Sequence, residues 1–280
     1  MTVPTGADLV VAELFRHGVR VLFGMPGSHT TALYDAIHRH GGIRTVLVRN
    51  EQAGAFMADG YARVTGQPGV ICTTAGPGAT NALTGVAEAW ADSVPVLLLS
   101  GQVNHDRLHE ECGNYHEIDL EAILRPCVKF VTTTMSHRAI PAAVAGAFAA
   151  LTQGRPRPAA LVLPQDLMGF PITTPIPPLR AIQSVRGVVP ETSLDEAAKL
   201  LVEAKRPLIL AGGGAIWSEA ASAIRELAQQ LDCPVVTSLN GKAFSTSAIC
   251  CRWGTPVRRA ARSRGTTPIS CWRSVAASRR

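Results

Sequence analysis

One carboxylate, Glu51, stands in "LVRNEQAGAFMADGYAR" (47–63), where an apolar stretch gives way to a run of small residues. Upstream, "RTVLV" (44–48) has the β-branched, apolar composition of a strand buried on both faces. Downstream, Ala53, Ala55, Phe56, Ala58 and Ala62 give a helix a small-residue face. A carboxylate at that junction is either a helix-start charge favoured by the macrodipole or an acid that trades protons with a ligand. Three Gly-containing stretches also follow apolar runs: "GMPGSHT" (24–30), "TAGPGATN" (74–81) and "GQV" (101–103). Glycines there let backbone approach a ligand closely, and Thr80 and Asn81 are of the types that cap a following helix. Each loop alone reads equally well as a tight turn. GxGxxG does not occur, so a nicotinamide-type dinucleotide site has little support.

The elements that must carry these residues follow from periodicity. Short apolar runs at 19–23, 44–48, 69–73, 94–100, 128–133 and 159–163 predict strands. Helical patterns lie between them at about 6–17, 30–39, 51–64, 79–91 and 137–151. Apolar strands alternating with helices predict an α/β fold, a three-layer parallel sheet with helices on both faces. Such sheets place their sites in the loops at the carboxyl ends of strands, which is where Glu51 and the three glycine loops fall. The first domain is therefore 1–169. The proline-rich "FPITTPIPPLRAIQSVRGVVP" (170–190) supports neither helix nor central strand and reads as a linker. A second α/β domain begins at 191–244, with Thr192, Ser193 and Asp195 as capping candidates, strand 207–214, helix 218–231 and strand 233–239.

Composition narrows the class. Of 280 residues, 46% are hydrophobic and 17% charged, a core-rich globular profile. No apolar run reaches the ~18 residues of a membrane helix, and no basic region precedes an apolar block at the N-terminus, so no membrane or secretory role is expected. Seven cysteines (72, 112, 127, 233, 250, 251, 271) lack CxxC or metal-ligand spacing and read as reduced intracellular thiols, hence a cytoplasmic protein. The net charge of +6 belongs to the tail, 245–280, which holds eight Arg and no acidic residue; the 19 other basic residues face 21 acidic ones. The body thus shows no nucleic-acid face. The tail reads either as a solvated basic segment that binds nucleic acid or as the product of a frame shift near 241–245, where hydrophobic periodicity is lost.

Taken together, "FGMPGSHTTALYDAI", "RNEQAGAFMADGYAR", "TTAGPGATNALTGVAEAWADSVPVLLLSGQV" and "ILRPCVKFV" resemble the pyrimidine-binding domain of thiamine-diphosphate-dependent 2-keto-acid enzymes, the acetolactate synthase large-subunit group in particular. "AKRPLILAGGGA" and "CPVVTSLNGK" resemble the start of that family's central domain, truncated here, which binds FAD in acetolactate synthases. The resemblance runs over about 1–242. It implies decarboxylation and carbon–carbon ligation of pyruvate-like 2-keto acids, a transferase or lyase chemistry of branched-chain amino acid biosynthesis. It implies that Glu51 shares a proton with N1′ of the cofactor's aminopyrimidine, which makes the thiazolium nucleophilic and lets the cofactor act as electron sink. It assigns Met25, Pro26 and Gly27 to one side of that ring, Thr74, Pro77, Gly78 and Asn81 to the other, and Gln102 to the active centre. Arg155 and Gly212, Gly213 and Gly214 match positions that touch FAD; a helix–strand turn explains the glycines equally well. A homodimer with the site at its interface is implied too.

Two departures stand out. The first loop reads "PGSH" (26–29) where the family has Pro-Gly-Gly-Ala, and "YHE" (115–117) replaces Phe-Gln-Glu. Ser28, His29 and His116 would lie near the substrate, with Lys129 of "ILRPCVKFV" a further substrate-side candidate. These changes make a paralogue acting as a 2-keto-acid decarboxylase or lyase an alternative to acetolactate synthesis. The family's diphosphate- and Mg2+-binding Gly-Asp-Gly occurs nowhere in the 280 residues; "ADG" (58–60) lies in the helix after Glu51. The chain by itself is therefore expected to turn over no 2-keto acid, and a non-catalytic dimerising fragment is the remaining reading.

Overall fold

In a computed structural model, residues 3–108, 114–179 and 187–244 are described. The 245–280 tail, with both readings of it, lies outside the described residues. Contacts divide the chain into a unit up to Val188 and another from Val189.

The first unit begins with a helix whose ends are written locally. In α1 (Gly6–Arg16), Thr5 and Asp8 form a reciprocal capping box, and Arg16 sits in the last turn. There follow β1 (Val21–Gly24), α2 (Thr31–His40), β2 (Arg44–Leu47), α3 (Glu51–Thr65), β3 (Gly69–Thr73), α4 (Pro77–Asp92), β4 (Val96–Gln102), α5 (Leu120–Leu124), β5 (Phe130–Thr133), α6 (Ile140–Thr152), β6 (Ala159–Pro164) and α7 (Gln165–Gly169). The six strands form one parallel sheet in the order β2-β1-β3-β4-β6-β5. Alternate strand residues Val70, Cys72, Leu97, Leu99 and Leu161 pack with α1, α2 and α6 on one face. On the other face Gly54 of α3 lies against Ile71, and α3 and α4 pack together there. The predicted α/β three-layer architecture is the one observed.

Two local expectations are corrected. The segment 44–48 is not buried on both faces: β2 is a sheet edge, with Arg44, Thr45 and Leu47 exposed. Its following helix crosses to pack over β1, β3 and β4 instead, so an apolar composition alone misjudged its cover. Helix α4 starts at Pro77, not 79, because Pro at the first helical position brings the right φ and gives up no needed donor. Asn81 therefore lies inside the helix and does not cap it.

α3 and α4 approach to backbone distance. A Cβ built on Gly85 would stand 2.6 Å from the Ala55 Cβ and 3.1 Å from the Phe56 N. Glu51 and Ala55, like Asn81 and Gly85, are four residues apart and share a helix face. The proline-rich passage starts bound to the N-terminus: the Gly6 N–H donates to Phe170 O at 3.3 Å and the Ile172 N–H to Pro4 O at 2.7 Å. Its residues 180–186 lie outside the described residues.

The second unit contains α8 (Glu191–Glu203), β7 (Ile209–Ala211), α9 (Gly213–Trp217), α10 (Ala221–Gln230) and β8 (Val235–Thr237), with β7 and β8 parallel. Thr192, Ser193 and Asp195 do not cap α8, which follows Pro190 without a side-chain cap. The helix expected at 218–231 is present as α10 but starts only at Ala221, because Glu219 takes a left-handed φ of 54° ahead of it. Among the described residues no helix is long and apolar enough to cross a membrane.

Candidate active site at the carboxyl rim of the sheet

β2, β1, β3 and β4 are successive neighbours, and all run parallel, so the segments after Leu47, Gly24, Thr73 and Gln102 emerge along one rim. Glu51 opens α3 there. It is not needed as a cap, because Asn50 holds that place, its side chain accepting from the Gln52 and Ala53 N–H groups at 2.9 and 3.4 Å. Glu51 is only 7% exposed, and its Oε2 accepts from Asn81 Nδ2 at 3.1 Å. A Cβ on Gly78 would stand 3.6 Å from Glu51 Oε1, and one on Gly27 would collide with the Thr74 Cβ at 2.5 Å. The 24–30 and 74–81 loops thus touch each other beside the carboxylate, with Met25, Pro26 and Pro77 exposed at their edges.

A cluster of rings adjoins these loops. His29 is buried, with Nδ1 3.2 Å from Ser28 Oγ and 3.1 Å from Thr74 Oγ1. Tyr115 stacks on His116 at 3.7 Å between centroids, and the His29 ring lies 6.3 and 6.2 Å from those two. His116 is held in a left-handed conformation, φ 64°. Burial, then the neighbouring His116 imidazole, hold His29 below the ordinary imidazole range, while a bond to the Tyr115 backbone pulls the other way. With its folded pKa depressed, neutral His29 contributes stability that is complete above the unfolded value of about 6.5 and is lost as pH falls through the folded one. Thermal melts of wild type and His29→Asn from pH 8 to 5 should therefore diverge: the wild type loses more melting temperature below pH 6.5 than the variant does.

Glu51, Thr74, Gly78 and Asn81 come together, with Gly27, Ser28, His29 and His116 next to them. Gln102 stands at the same rim, but its amide is spent on backbone: Nε2 donates to Ile118 O at 3.0 Å and Oε1 accepts from the Val103 N–H at 2.9 Å. It ties Ile118 to the end of β4. Lys129 and Arg155 are not brought to this rim. Lys129 precedes β5 and donates from Nζ to Gln153 O at 2.6 Å; Arg155 precedes β6 and donates from Nε to Ser93 Oγ at 2.7 Å. Both sit at the amino ends of the strands, roughly 15 Å of strand away. Gly212, Gly213 and Gly214 belong to the second unit, where a Cβ on Gly213 would lie 3.3 Å from the Asn240 Cβ; close packing within that unit accounts for a glycine there.

The residue pattern gave no hint of the His105–Asp166 pair, which follows β4 and β6. Asp166 is 8% exposed, and its Oδ1 accepts from the His105 N–H at 3.0 Å while Oδ2 pairs with His105 Nδ1 at 2.5 Å. With Asp106 these groups lie within 4.8 Å of one another. They fit Mg2+ poorly, since that ion takes oxygen ligands in near-octahedral order and both Asp166 oxygens are already engaged.

Comparisons with known proteins give the family. Residues 4–123 match the family model described as thiamine pyrophosphate enzyme, N-terminal TPP binding domain. Residues 194–261 match that of the thiamine pyrophosphate enzyme central domain, a match that continues past 242. The acetolactate synthase large subunit of Haemophilus influenzae is 39% identical over 241 residues, 85% of this chain and 42% of the relative. The isozyme 3 large subunit of Escherichia coli acetolactate synthase is 40% identical over 86% of this chain and 42% of the relative. A probable 2-ketoarginine decarboxylase of Pseudomonas aeruginosa is 40% identical over 86% and 43%. The chain spans about two fifths of the length of these relatives.

Proposed function

We infer the task of the rim from one premise: the chain belongs to the thiamine pyrophosphate enzyme family. The observation that carries the reading is Glu51, nearly buried at the rim, its carboxylate fixed by Asn81 with Gly78 packed beside it. In this reading Glu51 shares a proton with N1′ of the thiamine diphosphate aminopyrimidine. Asn81 fixes the carboxylate's direction and occupies one oxygen, so that the other is left for the ring. Met25, Pro26 and Gly27 would line one side of the heterocycle, and Thr74, Pro77 and Gly78 the other. When bound, the cofactor supplies the electron sink for loss of CO2 from a 2-keto acid. The overall reaction is acetolactate-synthase-like: decarboxylation of a pyruvate-like acid and ligation to a second, as in branched-chain amino acid biosynthesis.

A second reading is favoured by two specific points: His29 and His116 at the substrate side, and the 2-ketoarginine decarboxylase among the relatives. It is decarboxylation without ligation, with a neutral imidazole available to move a proton. For FAD no observation at these positions requires a site: Arg155 Nε already donates to Ser93, packing accounts for Gly213, and a Cβ on Gly214 would meet nothing within 4 Å, so flavin enters no step. Mg2+ would accompany the diphosphate, for which the 280 residues hold no Gly-Asp-Gly.

A titration of the chain with thiamine, followed by ligand NMR, tests the reading. Saturable binding displaced by 4-amino-2-methylpyrimidine is expected; no binding at millimolar thiamine would sink it. A homodimer is part of the proposal, formed through the outer face of α3, where Phe56, Met57 and Val64 are 42%, 46% and 88% exposed. Sedimentation velocity should give a dimer for the wild type and a monomer for Met57→Lys; a monomeric wild type would refute it.

A further inference from the structure

One buried group at the rim takes no part in the scheme above. Thr73 ends β3 and is fully buried, yet its Oγ1 has no hydrogen-bond partner among the described residues. A buried hydroxyl left unpaired is destabilising, and native structures seldom keep one. The other buried hydroxyls all find acceptors: Thr30 donates to Gly27 O, Ser100 to Gly101 O and Thr134 to Val162 O. Thr73 is the exception, and its place explains why. Along β3, Val70 and Cys72 join the core cluster, so by alternation Ile71 and Thr73 face the α3–α4 layer. A Cβ on Gly78 would stand 3.5 Å from the Thr73 Cβ and 3.6 Å from Glu51 Oε1. Thr73 and Glu51 therefore flank the same glycine, between the first turns of α3 and α4, and Glu51 is held from its other oxygen by Asn81.

We propose that Thr73 is a binding residue of this site, its hydroxyl completing its hydrogen bonding when an aminopyrimidine lies against Gly78 beside Glu51, directly or through one water. A hydroxyl both donates and accepts, which suits a ring carrying acceptor nitrogens and an amino group. The inference rests on the Glu51 reading and adds to it a polar contact carried by a side chain of the central strand.

The test compares wild type, Thr73→Val and Thr73→Ser by thiamine titration and thermal melting. Valine keeps the volume and removes the hydroxyl; serine keeps the hydroxyl. Thr73→Val is expected to melt above the wild type, because an unpaired buried group is gone, and to bind thiamine about tenfold more weakly. Thr73→Ser is expected to bind within about threefold of the wild type. A valine variant that binds as tightly as the wild type overturns the inference while leaving Glu51's role standing. So does one that loses melting temperature together with affinity, since that marks a packing role. Absence of binding by the wild type brings down both.

Discussion

Glu51→Gln is expected to weaken thiamine binding by about 10–100-fold, the worth of roughly 1.5–3 kcal/mol for a hydrogen bond to a charged group. The fold should be unaffected. Gln has nearly the same shape, its amide oxygen can still accept from Asn81 Nδ2, and Asn50 continues to cap α3. What glutamine cannot do is give or take a proton, so any preparation able to decarboxylate a 2-keto acid should lose at least about two orders of magnitude in rate. The competing account, in which Glu51 merely complements the helix dipole, makes a different forecast: a stability loss of about 0.3–1 kcal/mol and unchanged affinity. Titration and melting of the same two proteins separate them.

Gly85→Leu is expected to damage the same site from one helical turn away. The α3–α4 contact has no room at Gly85, where even a Cβ would stand 2.6 Å from the Ala55 Cβ. Forcing a larger side chain into a packed contact costs about 1–3 kcal/mol, which for a unit of this size lowers the melting temperature by roughly 2–12 °C. The helices can relieve the clash only by separating. Because Ala55–Gly85 and Glu51–Asn81 are successive rungs of one contact, separation lengthens the 3.1 Å bond that fixes the carboxylate. Thiamine affinity should therefore fall together with stability, whereas Gln67→Ala, exposed in the turn between α3 and β3, should change neither. Melting curves and titrations check both, and a Gly85→Leu protein with native affinity would refute the coupling.

How far the sequence disclosed this arrangement depended on whether a signal was local. The strand at Gly69–Thr73 was legible to the residue, because every position in it is buried and none is polar enough to break the run. β2 was recognised as a strand but not as an edge; edges are decided by strand order, which composition does not encode. The Glu51–Asn81 pair joins residues from two helices; the family resemblance set Asn81 beside the ring, while the residue pattern alone reads it as a cap. The placement of Lys129, read as a substrate-side candidate, was available and overlooked: in a parallel sheet a residue just before a strand must lie at the opposite end from one just after it, and Lys129 precedes β5. In the second unit a single left-handed residue, Glu219, holds back the start of the expected helix to Ala221, and amphipathic spacing is blind to that.

The most direct measurement of the central claim is the 15N resonance of N1′ in thiamine labelled at that nitrogen, free and bound to the wild type and to Glu51→Gln. A proton shared with Glu51 should move N1′ toward its protonated position on binding the wild type and leave it near the free position on binding the variant. Equal shifts with the two proteins, or no shift with the wild type at saturation, would contradict the assignment of Glu51.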